Sequence, residues 1–115
     1  MATKKFKEGL KFDSPDGNPK NRFDLLPAGA LCEVAEIFTY GAGKYEARNW
    51  ELGMSWGRVF GATMRHLWAY WGGEENDPES GKCHLAHACF GILVLLEYRK
   101  YHRSGDDRSK LNKKG

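Results

Sequence analysis

Cysteine is scarce and unpaired in this sequence. Cys32, Cys83 and Cys89 are odd in number and form no CxxC pair. That excludes a disulfide framework and predicts free thiols in a reducing, cytoplasmic compartment, with Cys32 and Cys89 acting as small hydrophobes in helix-like patterns. Long hydrophobic runs are also missing. The longest, Ala88 to Leu96, is nine residues with Gly91 inside it, whereas a membrane span needs about 20. The start, Met1-Ala-Thr-Lys-Lys, lacks the apolar stretch of a secretory signal. No strand-like alternation of useful length occurs, so the remaining periodicity is helical.

The body of the chain is short of positive charge. The net charge is +3 overall, but residues 1–22 and 99–115 hold thirteen of the eighteen Lys and Arg against five acids. Residues 23–98 hold five basic and ten acidic side chains, a balance of −5. A specific nucleic-acid surface wants a basic body, so no specific nucleic-acid partner is expected. An acidic body suits cation binding or plain solubility.

What is present reads as one small all-α bundle of three or four helices. At 115 residues, 41% of them hydrophobic, the chain can fold but leaves much of its surface wet, so oligomerisation is a natural completion. Residues 1–22 read as a polar basic arm, 23–102 as the helical domain, and 103–115 as a disordered basic tail. The first helix is predicted from Pro27 to near Gly41, with Leu31, Val34, Ala35 and Phe38 as its apolar face. A connector with a turn of helix follows over 41–54. The second helix is predicted from a Ser55 cap to Trp71, stopped by Gly72-Gly73, with Phe60, Met64, Leu67 and Trp71 turned inward. An acidic loop spans 72–81, and a third helix, apolar nearly all round, runs from about Lys82 to Tyr101 in the middle of the bundle.

Candidate chemistry centres on two pairs. Glu33 and Glu36 share a helix face at i, i+3, with Cβ atoms about 5–6 Å apart, close enough for both to bind one divalent cation. The same spacing suits two solvent-facing glutamates. His84 and His87 repeat the spacing on the third helix, where an unpartnered imidazole among apolar residues is costly. Gly91, next along that face, is expected to leave room beside the rings. A hydrogen bond to a backbone carbonyl or to a side chain is the alternative use of each histidine.

Cys83 beside His84 does not make a zinc pair, because adjacent helical residues diverge by about 100°. GAGKY at 41–45 is not a phosphate loop: Phe38 stands where GxxxxGK(S/T) needs its first Gly, and Tyr45 where it needs Ser or Thr. Lys44, Arg48, Arg58 and Arg65 are candidate phosphate contacts or ordinary solvated charges, with His66 beside Arg65. Trp50 is the tryptophan best placed to stack on a base. In the loop, Asp77-Pro78 reads as a helix cap, with a further metal ligand from Glu74, Glu75, Asp77 or Glu79 as the alternative.

Taken together, KNRFDLLPAGALCEVAEIFTYGAGKYEARNW, SWGRVFGATMRHLWAYWGGEENDPESG and HLAHA resemble the MazG-like all-α nucleoside triphosphate pyrophosphohydrolases. The nearest likeness is to the phage-type domain described as the N-terminal domain of dATP/dGTP diphosphohydrolases. The resemblance implies a homodimer or homotetramer in the host cytoplasm, hydrolysing a (d)NTP to the monophosphate and pyrophosphate. It implies metal on Glu33 and Glu36, the ExxE helix, with His84 and His87 where relatives place a second carboxylate motif. Imidazole moves the expected ion from Mg2+ toward a transition metal such as Mn2+ or Co2+. Otherwise the histidines act as base and phosphate ligands. The substrate-binding set on this reading is Lys20, Arg22, Lys44, Asn49, Trp50, Arg65 and His66. Two other classes fit parts of the pattern: a redox-active metal-binding bundle, and a non-enzymatic interaction module using its basic tails.

Overall fold

The computed structural model describes residues 20–111. The arm predicted over 1–22 lies outside them up to residue 19, as do positions 112–115 of the tail. Among the described residues there are helices and no strand, only an isolated antiparallel bridge between Asn76 and Cys83. Three helices make the bundle: α1 (Ala28–Lys44), α2 (Trp56–Trp71) and α3 (His84–Tyr101). No helix among the described residues is long and apolar enough to cross a membrane.

α3 is the central helix, packing on α2 and on α1, while α1 and α2 scarcely meet. Its sequence carries no one-sided stripe because it needs two apolar faces. The tightest core is Trp56 and Val59 of α2 against Val94 and Tyr98 of α3, with Tyr98 fully buried and its hydroxyl donating to the Trp50 carbonyl. At the α2–α3 crossing Gly91 faces Thr63, where an added Cβ would stand 1.9 Å from Thr63 Oγ1. The room expected beside the imidazoles is therefore taken by a neighbouring helix.

Two apolar faces differ from expectation. On α1 the buried residues are Val34 and Ile37, whereas Leu31 and Ala35 are exposed. On α2 they are Trp56, Val59 and Thr63, whereas Phe60 is 56% and Trp71 82% exposed. The close approach at Gly91 pulls α3 onto the Val59/Thr63 side of α2, one residue round from the larger hydrophobes. Helix limits differ less. α1 runs through Gly41 to Lys44, since the Tyr45 amide still bonds the Gly41 carbonyl at 2.9 Å and no left-handed residue is needed there.

Ser55 occupies the cap position of α2, but its side chain makes no capping bond. The Asp107 carboxylate does so instead, accepting from the Gly57 amide at 2.8 Å. It can because residues 103–108, expected as an unstructured tail, turn back through a 3-10 turn at Arg103–Gly105. Trp56 Nε1 donates to the His102 carbonyl at 3.0 Å, and the Arg103 and Arg108 guanidiniums lie 5.2 and 5.0 Å from the Trp56 ring. These cations stabilise a packed end of the bundle through cation–π contact.

Candidate metal centre and its cleft

Because α1 and α2 splay apart over α3, a cleft of about 1150 Å³ opens between them. Phe90, Gly91 and His87 of α3 floor it, Arg58, Arg65 and His66 of α2 form one wall, and the end of α1 forms the other. The connector closes one end with Asn49 and Trp50, where Arg48 takes a left-handed conformation (φ 61°) to start the 3-10 turn Asn49–Leu52. The acidic loop closes the other with Asp77 and Glu79.

That loop is a tight hairpin. The Asp77 amide donates to the Lys82 carbonyl at 2.8 Å, and Gly81, at φ 73°, donates back to the Asp77 carbonyl. Asp77 Oδ2 accepts from the Ser80 amide at 3.1 Å, so Asp77 caps a turn and starts no helix. The fold brings this carboxylate beside the histidines. His66, Asp77 and His84 offer ligand atoms that all lie within 4.8 Å of one another. His66 Nδ1 is 2.8 Å from His84 Nδ1, and His84 Nε2 is 2.7 Å from Glu74 Oε1. His87 stacks on His66 with ring centroids 4.5 Å apart, and its Nε2 is 2.7 Å from Ser80 Oγ and 3.9 Å from Asp77 Oδ2.

Burial pushes the His66 ring below the ordinary histidine range, helped by the positive charge that His87 and His84 would carry. Burial does the same to His87, against the opposing pull of Asp77. Asp77 is lowered: burial acts to raise it, but the Ser80 amide and the neighbouring histidines outweigh that. His66 and His87 are therefore neutral imidazoles and Asp77 a charged carboxylate near pH 7, the protonation a cation needs in its ligands.

The sequence-predicted residues divide. His84 is buried behind His66, while His87, His66, Arg65, Lys44, Asn49 and Trp50 line the cleft. Glu33 and Glu36 are exposed on α1 and do not line it; Glu36 Oε1 lies 3.4 Å from Lys82 Nζ. Lys20 and Arg22 are exposed outside the lining, and Arg22 is paired with Asp24 at 2.8 Å. Lys44 is held by Glu79, whose carboxyl that ion pair lowers, and the Glu79 side chain also engages Tyr40. Trp50 packs edge-on to Phe38 at 6.3 Å and against the core. Arg58 and Arg65 have no carboxylate partner among the described residues.

Sequence reasoning placed His66 with the substrate and weighed Asp77 mainly as a cap. Glu74 was weighed among the loop's alternative metal ligands, and Ser80 had no assigned role. The one available signal was chemical: a loop holding Asp, Ser and Gly directly before a helix that begins with His.

Fold and cleft define a small all-α protein with a histidine–carboxylate cluster at one end of an arginine-bearing groove. Residues 12–108 match the family described as dATP/dGTP diphosphohydrolase, N-terminal, and the chain belongs to that family. A MazG-like placement is consistent with this. A dATP/dGTP diphosphohydrolase of Salmonella phage PMBT28 is 30% identical over 100 residues, covering 87% of this chain and 33% of that relative. The chain thus spans about a third of the length of the curated relative it matches. No solved structure matches.

Proposed function

We propose that residues 23–102 hydrolyse (deoxy)nucleoside triphosphates, dATP and dGTP first among them, to the monophosphate and pyrophosphate with a divalent metal. The observation that carries this reading is the meeting, in one cleft, of a cation-competent cluster with two arginines that have no carboxylate partner among the described residues. The cleft is of the size class that takes a nucleotide-sized ligand.

Two imidazoles and a carboxylate fit a divalent ion, and their nitrogen share favours Mn2+, Co2+ or another transition metal over Mg2+. On this reading His66, Asp77 and His84 hold the ion. Bound there, it supplies charge neutralisation for the phosphates and lowers the pKa of a coordinated water. Arg65 and Arg58 hold phosphate oxygens along α2, which is most of what phosphoryl transfer asks of a protein. Lys44 joins them only when it leaves Glu79. His87, neutral near pH 7, is available to take the proton of the attacking water. Phe38, Phe90 and Trp50 offer the base an apolar wall, with Asn49 at its edge. A homodimer or homotetramer would cover the Phe60, Trp68 and Trp71 side of α2.

Pyrophosphate release from each dNTP and NTP with Mg2+, Mn2+ and Co2+ tests the activity. The ligand set is tested by a pair of variants. Asp77→Ala is expected to abolish turnover and metal uptake, and Glu36→Ala to keep both; the opposite result would return the metal to Glu33 and Glu36. The same donor set also holds ferrous iron in oxygen-activating sites. An anaerobic repeat of the panel with Fe2+ separates that redox reading, because hydrolysis needs no oxygen.

A further inference from the structure

Glu74 is not among the residues that hold the ion or the phosphates on the reading above, yet it touches the most buried polar side chain of the cluster. It follows the C-terminal end of α2, its amide donating to the Ala69 carbonyl at 3.0 Å, and its side chain remains about half exposed. From there Oε1 reaches His84 Nε2 at 2.7 Å, while the His84 side chain is only 4% exposed. A carboxylate oxygen accepts and does not donate, so this contact puts the His84 proton on Nε2. In the neutral ring the lone pair is then on Nδ1. That is the nitrogen 2.8 Å from His66 Nδ1, so His66 Nδ1–H donates into it when no cation is there. A cation and that proton compete for one lone pair.

We propose that Glu74 is a positioning residue: its carboxylate fixes the tautomer and ring orientation of His84 so that Nδ1 faces the His66–Asp77 cluster and accepts a divalent cation. This rests on the metal reading above. The alternative tautomer, with Nδ1 protonated, would turn a donor toward the cluster and repel the ion. Partners of this kind behind ligating histidines change metal affinity by about 10–100-fold. Being half exposed, the Glu74 side chain adds little to the core, so its removal separates positioning from folding.

The experiment uses the full chain at pH 7.5. Long-range 1H–15N spectra of the metal-free protein report which His84 nitrogen is protonated, and calorimetric titration with Co2+ reports affinity. The wild type is expected to show His84 protonated at Nε2. Glu74→Ala is expected to mix the tautomers and weaken Co2+ binding by about 10–100-fold, with an unchanged helical CD spectrum. Glu74→Gln, whose amide oxygen still accepts, is expected to restore the tautomer and part of the affinity. A wild-type His84 protonated at Nδ1, or a Glu74→Ala protein that binds Co2+ as the wild type does, would overturn the proposal. A Glu74-dependent Nε2 tautomer in a wild type that takes up no Co2+ would keep the positioning role and overturn the metal reading.

Discussion

At the scale of single residues, Gly91 and the cluster histidines carry the sharpest consequences. Alanine at Gly91 should gain helix propensity of roughly 1 kcal/mol, but its Cβ would collide with buried Thr63, which is tied to the Val59 carbonyl at 2.9 Å. Overpacking of that kind costs about 1–3 kcal/mol, so Gly91→Ala is expected to lower Tm. Thr63→Ala in the same chain should recover part of the loss, and a more stable Gly91→Ala protein would contradict the crossing. His66 and His87 set a pH dependence, because burial holds both below the ordinary range in the folded state. Unfolded histidine takes a proton near pH 6.5. As pH falls below that value the unfolded chain binds protons the folded one resists, so stability falls on acidification and is fully present above it. The depressed Asp77 and Glu79 act in the same direction at lower pH, in the carboxylate range. Urea midpoints in chelator at pH 7.5 and 5.5 should show the loss, and His87→Gln should reduce it.

At the scale of elements, α2 depends on a residue distant in sequence. Its first-turn Gly57 amide is satisfied by Asp107, at the far end of the chain from the helix it caps. A carboxylate at a helix N-terminus both accepts the orphan amide and complements the dipole, together worth about 1 kcal/mol. Asp107→Ala is expected to lower stability by about that amount, and Ser55→Ala by less, since its side chain makes no capping bond. Chemical denaturation of the two variants checks the order. If Ser55→Ala were the more damaging, the docked segment would not be the cap. The same segment contains the Arg103 and Arg108 contacts to Trp56, so deletion from Arg103 should cost more than the single change.

At the scale of the whole molecule, the bundle leaves large hydrophobes uncovered. Phe60, Trp68 and Trp71 of α2 are 56%, 67% and 82% exposed. They recur near helical spacing on the side of α2 that α3 does not use. Contiguous apolar surface of this kind marks an interaction site, and a second copy of the chain is the simplest occupant. Light scattering of the full chain is expected to give a dimer or tetramer, and Trp68→Lys to shift it toward monomer without changing the CD spectrum. A monomeric wild type would leave this face to another partner.

The helical identity of the chain and the number of its long helices were legible in the sequence, because 3.6-residue periodicity and the Pro27, Ser55 and Gly72 boundaries are local signals. His84 and His87 stood out for the same reason, as imidazoles within an apolar helix. Which face of α2 is buried was not legible: Phe60 and Trp71 are larger hydrophobes than Val59 and Thr63. Their exposure follows from how closely α3 can approach at Gly91. The cluster of His66, Asp77 and His84 was not legible either, since its members come from a helix, a hairpin and the start of another helix with no fixed spacing. Local periodicity by itself determined the helices. Only the packing of α2 and α3, with the loop folded across their ends, decided which polar side chains share one site, because ligand geometry depends on distances between elements that sequence spacing does not specify.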